Sequence, residues 1–248
     1  LDILVNDVWG GDEITEWGTP FWETDLGKGR RIVEAAVWGH ILTARHGLPL
    51  MVERNSGLVV EITDGDFLGY RGAFFYDFAK ASAIRIAYAL AAELRDTGIT
   101  ALALTPGFLR SEAMLARFGV TEENWREGVK ADPHFVESET PFFVGRAVAA
   151  LATDPSVRGK AGQVLASWTL AREYGFTDVD GRSPDWGRVG RRRSPGKPDS
   201  GRSRASRWWG WNGRWWSMAI AASSSGIVTS TTKPPSMPCR RPEERVCR

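Results

Sequence analysis

Four short apolar runs alternate along the chain with longer segments in which apolar positions recur every three or four residues. The runs are 1–5, 57–63, 100–105 and 163–167, and runs of this length and composition are typical of parallel strands buried on both faces. The longer segments cover 25–52 and 70–96, and a third begins at Thr140–Pro141, with proline at the first helical position. This order predicts an α/β fold with a doubly wound parallel sheet.

The carboxyl ends of such strands lie at one edge of the sheet, where ligands bind in this fold class. Polar or turn-forming residues follow three of the predicted strands at that edge: Asn6, Asp7, Thr63, Asp64, Pro106 and Gly107. Each of these residue types is also common in ordinary turns. Their position alone therefore leaves ligand binding and turn formation as alternatives.

Tyr76 and Lys80 lie four residues apart in the second predicted helix, on one helix face. A phenol with a pKa of about 10 exchanges protons poorly at neutral pH, and a nearby ammonium lowers that pKa. A hydroxyl from Thr63, at the end of the neighbouring strand, could hold a carbonyl oxygen beside the phenol. Together the three groups predict proton transfer coupled to hydride transfer. The Tyr-x-x-x-Lys pattern alone does not, because it occurs more often in proteins where the tyrosine is a core residue and the lysine is exposed to solvent.

Charge divides the chain into two parts. Residues 1–187 hold 18 Lys/Arg and 27 Asp/Glu, whereas residues 188–248 hold 14 and 3. Both cysteines, Cys239 and Cys247, lie in the basic part, so we expect a cytoplasmic domain without disulfides. No window is long and apolar enough to span a membrane. The three histidines have no cysteine nearby and predict no metal site.

The basic part, 188–248, is rich in Arg and Trp, with five Trp between 208 and 216. Three interpretations stay open: a disordered tail, off-frame translation of GC-rich DNA, or a segment that binds single-stranded nucleic acid or an anionic membrane surface. The composition favours the off-frame interpretation most and nucleic-acid binding least. We therefore predict a domain at 1–187 followed by a disordered or irregular tail.

Four motifs resemble the short-chain dehydrogenase/reductase family: "LDILVND", "GLVVEIT", "YDFAK" and "ALTPGFLRSE". They occur in the family's order from residue 1 to about Trp186. The resemblance implies a Rossmann-like sheet, NAD or NADP as cofactor, a small-molecule carbonyl or secondary alcohol as substrate, and a homo-oligomer formed through the two long helices. It makes Tyr76 the general acid/base, Lys80 its partner and a ribose ligand, and Thr63 the carbonyl-polarising hydroxyl. The implied cofactor contacts are Asn6, Asp7, Lys80, Pro106, Gly107, Leu109 and Ser111.

The sequence departs from the family in two places. The glycine-rich turn that holds the pyrophosphate in the family is not found in this sequence. The segment "GKGRRI" at 27–32 does not follow a predicted strand, so we do not interpret it as that turn. We therefore expect an N-terminally truncated domain whose first strand is an open edge. The asparagine that the family places near Ala36 is also missing, so His40 or a differently placed water would have to serve its proton relay.

Two functions follow as alternatives. The first is hydride transfer between NAD(P) and a carbonyl or secondary alcohol by a Tyr–Lys acid/base mechanism. The second is a catalytically inactive fragment or interaction module without bound cofactor, with a basic tail that could bind nucleic acid. The segment 109–141 is expected to form a helical lid in which Phe108, Met114, Leu115 and Trp125 line the pocket or form the lid's own core.

Overall fold

The structure, a computed structural model, describes residues 1–65 and 69–188. Its sheet contains four strands in the order β1-β2-β3-β4, all parallel. The strands are β1 (Ile3–Asn6), β2 (Gly57–Ile62), β3 (Ile99–Thr105) and β4 (Val164–Ala166). The predicted α/β fold with a parallel sheet is confirmed, with strand ends that differ from the predicted ones by one or two residues. Most of the predicted tail lies outside the described residues.

Six α-helices accompany the sheet in the described residues. They are α1 (Leu26–Val33), α2 (Gly39–Val52), α3 (Phe74–Glu93), α4 (Glu112–Phe118), α5 (Pro141–Thr153) and α6 (Ser167–Tyr174). A π-helical turn, Glu34–Trp38, joins α1 to α2, so the segment predicted as one helix over 25–52 is continuous but changes its winding at Ala36. Four 3-10 turns complete the described residues, at Phe21–Glu23, Trp125–Lys130, Pro133–Glu137 and Val157–Lys160.

The glycines of "GKGRRI" belong to α1 and not to a phosphate-binding turn. The Asp25 side chain caps the helix by accepting the Gly27 and Lys28 N–H groups, at 2.7 and 3.1 Å. Gly29 is buried, and a Cβ atom there would lie 2.2 Å from the Phe75 ring. Its small size is therefore needed for α1 to pack closely on α3.

Helices cover both faces of the sheet. On one face Leu58, Val60 and Leu102 pack with α5 and α6 through residues that include Leu151 and Leu170. On the other face the alternate strand residues pack with the helices that precede and follow β2, forming a second cluster of Met51, Val59, Leu94, Ile99 and Ala101. Because successive strand residues point to opposite faces, both sides of β2 and β3 are apolar, as expected of a doubly wound sheet.

β1 forms one edge of the sheet, since within the described residues it pairs only with β2. Ile3 and Val5 on this strand are 40% and 41% exposed. No helix in the described part of the chain combines the length and apolar character needed to cross a bilayer.

Candidate active site

The parallel sheet brings the predicted site residues to one edge. Asn6 ends β1 and Asp7 follows it. Thr63 and Asp64 follow β2, and Pro106 and Gly107 follow β3. The register pairs Asn6 with Glu61 and Ile62 with Leu104, so the three strand ends lie side by side. α3 carries Tyr76 and Lys80 to this edge in its first two turns.

Tyr76 lies in an aromatic corner. Its ring contacts Trp9 edge to face at 5.0 Å between centroids, and the Trp17 ring lies at 4.8 Å on a tilt. The phenol donates a hydrogen bond of 2.7 Å to Asp64 Oδ2. The hydroxyl therefore faces a carboxylate at the strand end, and two tryptophans fix the ring.

The pKa of Tyr76 differs from the sequence-based expectation. Burial raises it first, and the charge and hydrogen bond of Asp64 raise it further, because a nearby carboxylate disfavours the phenolate. Arg71 acts in the opposite direction without reversing the result. The expectation that Lys80 brings the phenol pKa below its ordinary value is wrong for this structure, since burial and Asp64 dominate.

Lys80 stands one helical turn after Tyr76. Its Nζ atom lies 4.7 Å from the Trp9 ring centroid and 5.9 Å from that of Tyr76, in cation–π contact. Burial lowers the pKa of Lys80, while the carboxylates of Asp64, Asp7 and Asp12 raise it. The ammonium and the phenol thus lie in one half-buried site, as the helical spacing predicts.

The hydroxyl of Thr63 is hydrogen-bonded to the backbone of α3. Thr63 is buried and donates a hydrogen bond of 2.7 Å to the backbone carbonyl of Lys80. Successive residues of an extended chain point to opposite sides, so Asp64, one residue later, meets Tyr76 instead. The hydrogen-bond partner of the phenol in this structure is therefore Asp64, which the sequence did not predict, and the role of Thr63 toward a carbonyl oxygen stays a prediction.

Asn6 belongs to a buried polar cluster with Glu61 and His40. Asn6 Nδ2 donates to Glu61 Oε1 at 2.7 Å, and His40 Nδ1 lies 2.6 Å from Glu61 Oε2. His40 Nε2 contacts the Val8 carbonyl at 3.0 Å. The amide of Asn6 is therefore engaged inside the protein, where it fixes the β1 end that carries Asp7.

Asp7 follows β1, and the residue as a whole is exposed whereas its carboxyl group is partly shielded from water. Burial of its carboxyl raises the pKa of Asp7, and the charges of Lys80 and His40 oppose that rise. The three side chains are therefore within electrostatic range of one another, which places Asp7 on the Lys80 side of the site. His40 is a buried residue whose ring contacts the backbone of this loop at Val8.

The loop after β3 is held by Glu139. Glu139 pairs its backbone with Leu109 in an isolated parallel bridge, and its Oε2 accepts the Gly107 N–H at 2.9 Å and the Ser167 hydroxyl at 2.7 Å. Ser111 caps α4 by accepting the Met114 N–H at 3.3 Å. Pro106, Gly107, Leu109 and Ser111 thus follow β3 at the site edge, with the Gly107 N–H and the Ser111 hydroxyl engaged within the chain.

The predicted lid, 109–141, contains α4 and two 3-10 turns. Trp125 is buried and lies under the Arg110 guanidinium, whose central carbon is 4.4 Å from the ring centroid. Phe108 packs edge to face on Phe118 and Phe135, at 6.1 and 5.1 Å. Trp125 and Phe108 therefore belong to the packing core of this segment, one of the two alternatives that the sequence leaves open.

The sequence did not predict that three residues form hydrogen bonds to other residues of the site: Glu61, Asp64 and Glu139. Glu61 carried the clearest signal, because a charged residue inside an otherwise apolar, buried strand requires a partner. Asp64 was recognised as a strand-end residue but not as the group that meets the phenol. Glu139 carried no signal, since only the fold brings it to Gly107 and Ser167.

Comparisons with known proteins agree with this architecture. Residues 1–119 match the short chain dehydrogenase family. Dehydrogenase/reductase SDR family member 1 of Mus musculus is 34% identical over 186 residues, which cover 73% of this chain and 59% of that protein. The chain therefore spans 59% of the length of that relative.

Two solved structures show similar folds. ElxO with NADP bound is 21% identical, with a TM-score of 0.55 over 67% of this chain and 65% of that one. A putative NAD(P) dependent gluconate 5-dehydrogenase from Beutenbergia cavernae, with bound NADP, is 27% identical, with a TM-score of 0.53 over 67% and 64%. These two structures agree with the chain in fold. The family match over residues 1–119 and the 34% identity to the Mus musculus relative show that the chain belongs to the short-chain dehydrogenase/reductase family.

Proposed function

We propose that the protein is an NAD(P)-dependent oxidoreductase that transfers a hydride between the cofactor and a carbonyl or secondary alcohol. The observation that carries the proposal is the half-buried Tyr76 hydroxyl at the carboxyl edge of the sheet, with Lys80 on the same helix face. Open parallel α/β sheets bind their ligands at the carboxyl ends of the strands. The similarity to a solved structure with bound NADP, at 27% identity, supports the cofactor class.

The donor set at this edge fits the ribose–nicotinamide part of a dinucleotide. The Lys80 ammonium is a hydrogen-bond donor and the Asp7 carboxylate an acceptor, and both types of group bind ribose hydroxyls. Pro106, Gly107, Leu109 and Ser111 are the loop residues we assign to the same part. When bound, the nicotinamide supplies or accepts the hydride.

Tyr76 is the group we assign to the proton. In carbonyl reduction its hydroxyl donates to the substrate oxygen, and in alcohol oxidation its oxygen accepts. Trp9 and Trp17 hold the ring in place for this transfer. Because burial and Asp64 raise the pKa of the phenol, it is a neutral hydroxyl at physiological pH and acts through its O–H bond.

A specific observation favours the alternative of an interaction module without cofactor. The Gly107 N–H and the Ser111 hydroxyl, both assigned to the cofactor, already have partners within the chain. A cofactor would have to displace Glu139 from Gly107 or bind through other atoms of the loop. Titration with NADH and NADPH separates the two functions, because the oxidoreductase binds at least one of them saturably and the module binds neither.

The role of Tyr76 is tested with Tyr76→Phe, using acetophenone and 1-phenylethanol as probes. Phenylalanine keeps the ring between Trp9 and Trp17 but cannot exchange a proton, so we expect kcat to fall about 100-fold or more with cofactor binding retained. Tyr174→Phe is the matched control, since it also removes a hydroxyl bound to a carboxylate, that of Asp154. Wild-type turnover in Tyr76→Phe would remove Tyr76 from its assigned role.

A further inference from the structure

Asp64 is the nearest hydrogen-bond partner of the site hydroxyl. Its Oδ2 atom accepts the Tyr76 O–H at 2.7 Å. The position of Asp64 is held from the other side, because the Arg71 Nε–H group donates to its backbone carbonyl. The Arg71 guanidinium is in turn paired with Asp77 of α3 at 2.8 Å. The carboxylate is thus fixed next to the phenol by the chain on both sides.

A phenol in this environment does not readily lose its proton to form a phenolate, but it can still pass a proton from one group to another. Burial and Asp64 raise the pKa of Tyr76, so a free phenolate is disfavoured throughout turnover. A hydroxyl can still accept a proton on its oxygen while it gives its own proton to a second acceptor. The 2.7 Å hydrogen bond supplies that acceptor.

We propose that Asp64 is the proton acceptor behind Tyr76 in alcohol oxidation, and the proton donor behind it in carbonyl reduction. This inference rests on the proposed function, which already assigns the hydride to the nicotinamide cofactor. In oxidation the alcohol O–H bond breaks and a new phenol O–H bond forms, while the original phenol O–H bond breaks and a carboxyl O–H bond forms on Asp64. The phenol is neutral before and after, and Asp64 changes from carboxylate to carboxylic acid.

Other charged groups also face the pair. Arg71 and Lys80 are the cations, and Asp12 and Asp7 are further carboxylates within electrostatic range of Tyr76 or Lys80. Asp12 also accepts the Trp9 indole N–H at 2.7 Å, and Asp7 lies at the end of β1. Among these carboxylates Asp64 is the one that accepts a hydrogen bond from the phenol in the described residues.

The first test needs neither cofactor nor substrate. The protein is labelled with tyrosine carrying ¹³C at Cζ, and the Tyr76 signal is assigned with Tyr76→Phe. In wild type the signal should stay at the phenol position up to the highest pH at which the protein is folded. In Asp64→Asn the pKa of Tyr76 should fall by about one unit or more, because the negative charge is gone. A Tyr76 Cζ chemical shift that is the same in the two proteins at every pH would overturn the proposal, because it would show that Asp64 does not act on the phenol.

The second test is kinetic, with 1-phenylethanol oxidation followed from pH 5 to 9. Asparagine can accept the same hydrogen bond as Asp64 but cannot take up its proton, so a purely structural role predicts nearly unchanged kcat. We expect Asp64→Asn to lower kcat about 100-fold across this pH range. Asp64→Glu keeps a carboxylate and should recover most of the lost turnover.

The matched control is Asp154→Asn. Asp154 accepts a 2.6 Å hydrogen bond from Tyr174, so the change removes an equivalent tyrosine–carboxylate pair away from the site. It should alter the titration of Tyr174 but neither that of Tyr76 nor turnover. Wild-type kcat and pH profile in Asp64→Asn would overturn the role of Asp64 alone. Failure of wild type to bind NADH or NADPH would instead overturn the proposed function.

Discussion

Replacing Glu139 with glutamine should remove a pH dependence of stability that the wild-type protein shows between pH 4.5 and about 7. Glu139 is 1% exposed, and its Oε1 atom has no hydrogen-bond partner in the described residues. Burial raises the pKa of the carboxyl from 4.5 to about 7, against the hydrogen bonds from Ser167 and Gly107, which lower it. The folded protein therefore prefers the uncharged acid.

The direction of the effect follows from proton uptake. Between the unfolded pKa of 4.5 and the folded pKa of about 7, the folded state holds more protons than the unfolded state. The contribution of Glu139 to the free energy of unfolding is thus fully present below pH 4.5 and is lost as the pH rises through about 7. Because one pKa unit corresponds to about 1.4 kcal/mol, the loss amounts to about 3 kcal/mol.

The assay is urea denaturation of wild type and Glu139→Gln at several pH values from 4.5 to 8. Glutamine keeps an oxygen that can accept the Gly107 N–H and Ser167 hydroxyl, but it has no titrating proton. The free energy of unfolding of wild type should therefore fall relative to the variant by about 3 kcal/mol over this range. Glu127→Gln, which changes an exposed carboxylate, is the control and should show no comparable trend. A difference between wild type and Glu139→Gln that is the same at pH 5 and pH 8 would refute the reasoning.

Two further changes test the packing of the buried residues by urea denaturation. Glu61→Val should lower the free energy of unfolding by about 3–5 kcal/mol, because it leaves the buried His40 ring without its carboxylate. The double variant with His40→Phe should lose less free energy of unfolding than the sum of the two single-variant losses. A loss equal to that sum would contradict a coupled Glu61–His40 pair. Phe143→Ala should cost about 3–5 kcal/mol, whereas its neighbour Phe142, 67% exposed against 0% for Phe143, should tolerate alanine within about 0.5 kcal/mol. Equal losses at the two phenylalanines would show that burial does not set the cost.

The sequence predicted the sheet well because its strands are buried on both faces. A strand such as β2, which packs against helices on each side, is apolar at most positions, and this leaves a run of Leu, Val and Ile that is interrupted only by Glu61. Helix continuity was also predicted correctly over 25–52. The π-helical turn at Glu34–Trp38 was not, since a local change of winding depends on packing and leaves no distinct periodicity in five residues.

The position of Tyr76 and Lys80 at the carboxyl edge of the sheet could be predicted from the sequence, but the contacts that they make could not. The spacing of Tyr76 and Lys80 is a property of one helix and could be derived from sequence. Whether Thr63 or Asp64 meets the phenol depends on where β2 ends and on which way each residue points there. A shift of one residue at a strand end exchanges the inward and outward side chains, and a hydroxyl was thereby expected where the structure has a carboxylate.

This exchange changes the chemistry of the whole site. With a hydroxyl beside it, the phenol would feel chiefly the Lys80 ammonium, and its pKa would fall. With Asp64 as its partner, and with Asp7 and Asp12 also acting on Lys80, the lysine charge is compensated by carboxylates before it can stabilise a phenolate. In the proposed mechanism the phenol stays neutral while it passes a proton, and the acceptor is the same carboxylate that raises the pKa of the phenol. Asp64, which was not predicted as a partner of Tyr76, is therefore the residue on which the proposed proton transfer depends.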